Sequence, residues 1–365
     1  MMGVHERQAA ERLRALTGRG QAALAGRGAA AIWAALKAWG CEGREVLIPA
    51  NTCAIVLWAV LRSGCRPRLV DIADPLHPSA LDGLPADTSQ AAAIIPAHLY
   101  GLPAPMGELC AWARQRGLHV IEDAALALGG TVEGRPAGGW GDAAILSFGL
   151  GKVVDHQLGG ALVTDDAALA REVRRLLDDA PPLDDDLLRL ANEWHGLYWP
   201  LHQYESSTPG LLDLYPRLFD LYGAITVYQL ADSDWAGLVE RLDALPADRE
   251  RRLRLAEGYD AGLAGLPVTR FERPAEAILW KYPVLVETAQ RDDMLEALWA
   301  AGQHEVTRWY PSLRPMARAL APAVDQPPTP QADRLGAMIV NLPLHPGVEA
   351  AQVEAICAVI RAACG

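Results

Sequence analysis

Short apolar runs alternate with helix-patterned stretches from about Gly28 to Gly160, and no other feature limits the fold of this chain as tightly. "EVLIPA", "PRLVDI", "HVIEDA", "AAILSF" and "GALVTD" read as strands, and another lies within "AAAIIPAHLYG". "AAAIWAALKAWG" reads as a helix ending at Gly40, and "MGELCAWARQRG" as another. "NTCAIVLWAVLRSG" reads as a helix that starts at an Asn/Thr cap and stops at Gly64. Strands interleaved with helices predict an α/β sheet of mainly parallel order, with helices over both faces. Such sheets bind ligands at the carboxyl ends of their strands, where Asp123 and Ser147 stand.

A chain of 365 residues outgrows one small core, so two domains are expected. Residues 1–235 read as the larger α/β domain, with an irregular excursion over about 180–210 inside the unpatterned stretch 167–235. Residues 236–365 read as a smaller α+β domain. A long helix from Asp234 to about Gly265, interrupted at Pro246, leads into it. Strand "WKYPVLVE", helix "RDDMLEALWAAG", strand "AMIVNLPLH" and a final helix from Val348 complete it, with proline-rich "RALAPAVDQPPTPQADR" as a loop.

The 33 basic against 45 acidic residues give a net charge of −12, which argues against the basic face that nucleic-acid binding needs. The densest basic stretch, "RERRLRL", reads as the exposed face of a helix. Six cysteines without a C-x-x-C pair read as small buried hydrophobes, so neither a disulfide framework nor a metal site is expected. The compartment therefore reads as reducing. A charged, helical N-terminal stretch and the lack of a membrane-length apolar run predict a cytoplasmic protein.

Two motifs suggest chemistry that their context does not support. "GRGQAA" and "GRGAAA" match a loose G-x-G-x-x-A dinucleotide pattern, but neither follows a stretch that reads as a strand. "GLGKVV" resembles the end of a phosphate loop, yet Leu146 stands where its first glycine belongs and Val153 where its hydroxyl belongs.

Asp123, Ser147 and Lys152 remain, all at or just beyond the ends of apolar strands. A buried carboxylate needs a cation or strong donors, and a shielded lysine becomes an amine nucleophile. Pyridoxal phosphate uses both groups, the lysine for its aldehyde and the carboxylate to keep its pyridine nitrogen protonated. Its phosphate needs N–H groups at a helix start plus hydroxyls, which Gly28, Ala29, Ala30 and Ser147 can supply. Singly, Asp123 reads as well as a helix cap, Ser147 as a partner for a strand-end backbone group, and Lys152 as a solvated loop residue. Their joint placement favours the cofactor.

"VIEDAA", "GGWGDAAILSFGLGK" and "GGALVTDD" together resemble the active-site core of the DegT family of fold-type-I, pyridoxal-phosphate-dependent aminotransferases, which act mostly on keto-sugars. The likeness extends to "EVLIPANTCA", "PAHLYGLPAPMGEL", "RRLRLAEGYDAGL" and "VNLPLHP", so it covers most of the chain. It implies a large domain with a mostly parallel, mixed seven-stranded sheet flanked by helices, plus a smaller C-terminal α+β domain. It implies that Lys152 carries the cofactor as a Schiff base and moves the proton, and that Asp123 pairs with the pyridine nitrogen. Ser147, Gly28 and Ala29 then hold the phosphate, Thr52 lies close to the ring, and His98 reads as structural.

The sequence also departs from the family's pattern. Leu126 stands where the family has a glutamine bonding the ring hydroxyl, and Cys53 where it has a ring-stacking aromatic. The stretch that lends a phosphate contact across the dimer is replaced by "LYPRLF", with Tyr215 and Arg217 as stand-ins. A smaller, less polar pocket is expected, with Gln157 or His156 supplying the missing ring contact. The resemblance implies a homodimer with shared sites that moves an amino group from an amino acid, L-glutamate, to a keto-sugar or related cyclic ketone. Two other readings are a pyridoxal enzyme of this fold with dehydratase, lyase or carbon–carbon chemistry, and a catalytically silent scaffold. Lys152 argues against the first by the known route, because the family's dehydratases carry histidine at that place.

Overall fold

The computed structural model describes residues 2–204 and 210–364 and gathers the apolar runs into one eight-stranded sheet. Its strands are β1 (Gln21–Ala25), β2 (Glu45–Pro49), β3 (Arg66–Ile72), β4 (Leu81–Asp82), β5 (Ala91–Ile94), β6 (His119–Asp123), β9 (Ala143–Ser147) and β10 (Gly160–Thr164). A separate hairpin, β7 (Thr131–Val132) and β8 (Arg135–Pro136), falls between β6 and β9. The order across the sheet is β1-β10-β9-β6-β5-β2-β3-β4. Strands β9, β6, β5, β2 and β3 run parallel, and the remaining pairings are antiparallel. The six stretches read as strands are all present; β1, not read as a strand, brings them to the seven that the resemblance implies, and two-residue β4 folds back on β3 as an eighth. Val46, Leu47 and Ile48 are buried in succession, as are Ala143 to Leu146, so these strands do not alternate. That is the pattern of a sheet covered on both faces.

Helices α1 (Val4–Thr17), α2 (Gly28–Ala38), α3 (Ala54–Arg62), α4 (Met106–Gln115) and α5 (Ala167–Asp178) surround the sheet. The first turns of α2 are built from Ala29, Ala30 and Ala31, whose small side chains let the helix settle closely on β9 and β10. A Cβ added to Gly28 would lie 3.0 Å from the Ser147 Cβ, so only glycine brings this helix start against that strand end. Helix α3 begins at Ala54, later than the expected Asn/Thr cap, because Cys53 is its N-cap and makes no side-chain cap bond.

Residues 167–235, expected to be irregular, are largely helical: α5 is followed by α6 (Asp185–Tyr204) and α7 (Tyr215–Ala224). The Asp166 Oδ1 caps α5 by accepting from the Ala168 and Leu169 N–H groups at 2.7 and 3.1 Å. Trp194 and Tyr198 of α6 and Tyr222 of α7 pack on Trp58 of α3. This long-range aromatic packing outweighs the turn signals of the acidic, proline-bearing stretch. Part of the expected excursion, residues 205–209, lies outside the described residues.

Helix α8 (Asp234–Gly262) runs unbroken through Pro246, contrary to the expected interruption. Its neighbour Leu245 lies in a niche under Gly129, so packing holds the helix where the missing N–H weakens it. Beyond it, β11 (Thr269–Arg270), β12 (Tyr282–Leu285) and β13 (Ile339–Leu342) form a three-stranded antiparallel sheet. It is accompanied by α9 (Thr288–Ala300), α10 (Arg314–Leu320), α11 (Pro330–Met338) and α12 (Ala350–Cys364). The proline-rich stretch read as a loop is helical at both ends, where it holds the last turn of α10 and the first turns of α11. Pro330 opens α11, where a missing N–H costs nothing, and Pro322, Pro327 and Pro328 lie between the two helices. Among the described residues, no helix is long and apolar enough to cross a membrane.

Candidate active site

Four loops leave the adjacent strand ends of β9, β6, β5 and β2 and converge on one narrow cleft. Asp123, Thr52, Cys53, Leu126 and Lys152 all line it, as the sequence predicts. The Asp123 Oδ1 accepts from the Ala125 N–H at 3.0 Å. Burial pushes its carboxyl above the ordinary range, and the positive charge of Lys152 opposes that rise. The carboxylate and the lysine are therefore coupled across the cleft.

His98 also lines the cleft but is occupied elsewhere. Its Nδ1 accepts from the Ala104 N–H at 3.0 Å, and its Nε2 contacts the Glu122 Oε1 at 2.8 Å. Glu122 in turn accepts from the Gly138 and Trp140 N–H groups, each at 2.7 Å. This buried network braces the strand end on which Asp123 stands, and it fits the structural role read for His98.

The Lys152 loop is fastened at several points. Lys152 N–H donates to the Gly149 carbonyl at 3.1 Å, and Asp155 accepts from the Gly151 and Gln157 N–H groups at 2.8 and 3.0 Å. The Trp280 Nε1 donates to the Gly151 carbonyl from the C-terminal part of the chain. His156 Nε2 lies 2.6 Å from the Asp234 carbonyl at the start of α8. Neither His156 nor Gln157 lines the cleft, so the expectation that one of them replaces the missing ring contact is corrected. His156 is drawn instead to the start of α8, and Gln157 is exposed.

The corner at Gly28, Ala29 and Ser147 lies beside this cleft, and the Ser147 Oγ is 3.3 Å from where a Gly28 Cβ would be. The "GRGAAA" segment does follow a strand, β1, and does open a helix, α2. The context denied to it on the sequence is thus present, although β1 is an antiparallel strand at the sheet edge rather than part of a parallel crossover. The short run "QAALA" after a charged helix gave no clear strand signal.

Of the two stand-ins for a partner's phosphate contact, Tyr215 is buried in its own subunit, with its ring edge-on to Trp58 at 6.4 Å. That packing withdraws it from a neighbour's site, and only Arg217 is exposed.

Sequence reasoning missed Tyr310, which lines the cleft with its hydroxyl facing the Cys53 thiol. Its ring lies nearly parallel to those of Trp280 and Tyr100, with centroids 5.8 and 6.3 Å away. Asn51 was missed too: it is fully buried beside Thr52, and both its amide atoms lack a hydrogen-bond partner. "PANTC" carried that signal, since a polar residue between an apolar strand and an apolar helix must be satisfied by something.

A family model described as the DegT/DnrJ/EryC1/StrS aminotransferase family matches residues 1–361. A UDP-N-acetyl-3-dehydro-alpha-D-glucosamine 3-aminotransferase from Acidithiobacillus ferrooxidans is 31% identical over 324 residues, covering 87% of this chain and 77% of the relative. A dTDP-3-amino-3,4,6-trideoxy-alpha-D-glucose transaminase from Streptomyces venezuelae is 31% identical over 331 residues, covering 87% and 76%. Among solved structures, DesI with its TDP-sugar product has a TM-score of 0.79 at 26% identity, covering 99% of this chain and 85% of that one. DesV of S. venezuelae with a ketimine intermediate has a TM-score of 0.78 at 28% identity, covering 99% and 90%.

Proposed function

This chain belongs to the DegT/DnrJ/EryC1/StrS aminotransferase family, and from that premise we propose that it is a pyridoxal-phosphate enzyme moving an amino group from L-glutamate to a nucleotide-linked keto-sugar. The observation that carries the reading is the convergence of Lys152 and Asp123, electrostatically coupled, on one cleft at the sheet's carboxyl ends. The residues present fit the cofactor: a buried carboxylate for a ring nitrogen, a tethered lysine, and a helix start with a facing hydroxyl. The orphaned amide of Asn51 adds buried polar atoms that a ligand can satisfy.

When bound, the cofactor supplies an electrophilic carbon and an electron-withdrawing ring. The other tasks fall to the chain. Lys152 would hold that carbon through its amine and would serve as the acid and base at the donor's carbon, for which its loop must keep the amine in reach. Asp123 would hold a proton on the ring nitrogen. Gly28, Ala29 and Ser147 would hold the phosphate. Thr52, Cys53, Leu126 and Tyr310 wall the ring and keep water from it. The relatives are transaminases named for UDP- and dTDP-linked sugars, which supports the same substrate class here. We place the cofactor-binding domain at 1–235 and the smaller domain at 236–365, in a cytoplasmic homodimer, with Arg217 the residue free to reach a partner's site.

The test is the visible absorption of the purified protein. A cofactor band that glutamate bleaches and that Lys152→Ala lacks supports the reading, as does amino transfer to a UDP- or dTDP-linked keto-sugar. A wild-type protein that takes up no pyridoxal phosphate sinks it.

A further inference from the structure

Arg252 is a buried cation that stands behind the cleft and not in it. It lies on α8, is 2% exposed, and is absent from the cleft's lining. Its Nε donates to the Asp248 Oδ2 at 2.6 Å, one turn back on the same helix. Its other two nitrogens leave the helix. Nη1 donates to the Trp280 and Leu279 carbonyls at 2.9 and 3.2 Å, and Nη2 donates to the Val153 carbonyl at 3.3 Å. One guanidinium thus joins α8, the segment before β12 and the residue that follows Lys152.

The residue before the lysine is held from the same segment, because the Trp280 Nε1 donates to the Gly151 carbonyl. The segment is itself anchored to the sheet's carboxyl end. The Trp280 N–H donates to the Tyr100 carbonyl at 2.9 Å, and the Thr131 N–H donates to the Glu276 carbonyl at 3.2 Å. Tyr100 and Thr131 lie on the chain that leaves β5 and β6, and β6 ends in Asp123. A bonded path therefore runs from the strand end of Asp123 to both neighbours of Lys152. Burying a guanidinium is costly, and burial works against the charge of Arg252 while Asp248 sustains it. Pairing with Asp248 does not by itself require Arg252, since Arg251 already donates to the Asp248 Oδ1 at 2.6 Å. What Arg252 adds is a planar fork that reaches carbonyls on two other segments at once.

We propose that Arg252 is a positioning residue for Lys152: its fork ties the Val153 carbonyl to the Leu279–Trp280 segment and so fixes where the lysine's amine stands relative to Asp123. The proposal rests on the pyridoxal-phosphate reading of the cleft.

Two neighbouring arginines on one acid supply the test. Arg252→Lys keeps a cation beside Asp248 but cannot span two segments. Arg251→Gln removes the other arginine, whose second bond goes to the Leu344 carbonyl and not to the loop. In the apoprotein, hydrogen exchange of the peptide covering 149–157 is expected to quicken about tenfold in Arg252→Lys and to stay within about twofold of wild type in Arg251→Gln. In the loaded protein, Arg252→Lys is expected to lower kcat about tenfold with KM for glutamate within about twofold, and Arg251→Gln to leave kcat unchanged. The circular dichroism of the visible band per bound cofactor, which reports how the lysine holds the ring, falls by about half in Arg252→Lys alone. Arg252→Gln, which has no charge to bury, is the second variant should Arg252→Lys not fold, and the same three changes are expected of it. Wild-type exchange and kcat in Arg252→Lys overturn the proposal. So does a loss of kcat that Arg251→Gln shares in equal measure, or one that comes with unchanged dichroism per bound cofactor, since either makes Arg252 a prop of the fold. A wild type that takes up no pyridoxal phosphate overturns the cofactor reading and the lysine's task with it, an outcome that loop exchange in the apoprotein keeps distinct from failure of the clamp.

Discussion

The cleft has two walls of different origin. The sheet wall is made of Asp123, Thr52 and Lys152, each within a few residues of a strand end. The aromatic wall is Tyr310 from the C-terminal part, backed by the stacked rings of Trp280 and Trp309 and by Trp199 of α6, whose ring lies 4.9 Å from that of Trp309. The sheet wall carries groups with a chemical task and is held by backbone pairing. The aromatic wall carries shape and is held by ring-to-ring packing and a few N–H donors. Chemistry and enclosure are thus stabilised by different forces, and variants in the two walls are expected to fail in different ways.

The sheet wall fails in rate. Lys152→Ala removes the nucleophile and the proton carrier together, and a loss of at least about 10⁴-fold in kcat is expected, with no visible cofactor band. Single-turnover kinetics with glutamate check it, and residual turnover within tenfold of wild type would move the proton transfer to another group. Asp123→Asn keeps the shape and loses the charge. A fall of about 10²- to 10³-fold in kcat is expected with cofactor content preserved, read from kcat against absorbance on the same sample. If the cofactor is lost as well, Asp123 is an anchor before it is an electronic partner.

The same division explains what the sequence discloses. Strand ends are legible because a buried five-residue apolar run such as "AAILS" declares its own boundary, and the polar residue after it must have a reason. The glycine-rich loop discloses Lys152 in the same way. Tyr310 and Trp280 are not legible. They reach the cleft through a domain whose placement depends on tertiary packing. The helices of 167–235 were hidden for a related reason. Their aromatic residues are arranged to meet Trp58, and the acidic, proline-bearing run that reads as irregular is only the short link between α5 and α6.

Between the walls, His195 offers a test by pH. Its folded-state value of about 4 lies below the ordinary histidine value of 6.5, owing first to burial and then to Arg27. Above pH 6.5 both folded and unfolded chains hold it neutral, so it contributes no slope. As pH falls from 6.5 towards 4, the unfolded chain takes up a proton and the folded chain does not, so stability falls across that window. The expected loss is on the order of 2–3 kcal/mol. Asp123, raised by burial, contributes with the opposite sign, so the comparison is His195→Phe against wild type in denaturant midpoints at pH 6.5 and 4.5. The variant is expected to lose less on acidification. Parallel losses would mean that the imidazole protonates in the fold, with the guanidinium drawn away from it.

The smallest expected effect tests whether the aromatic wall does more than enclose. Trp280 stacks on Tyr310 and also donates its Nε1–H to the Gly151 carbonyl, next to Lys152. Trp280→Phe keeps a ring and removes only that donor, which is worth about 1 kcal/mol. If the bond serves only the fold, the melting temperature drops by a few degrees and the kinetics stay put. If it aims the lysine, kcat falls about fivefold while KM for glutamate and cofactor affinity hold, because the bond acts on one loop carbonyl and not on the ring's wall. The second outcome is expected, because the loop's bonds to other elements, from His156 to the Asp234 carbonyl and from Arg252 to the Val153 carbonyl, lie on the C-terminal side of Lys152 and leave its N-terminal side to Trp280.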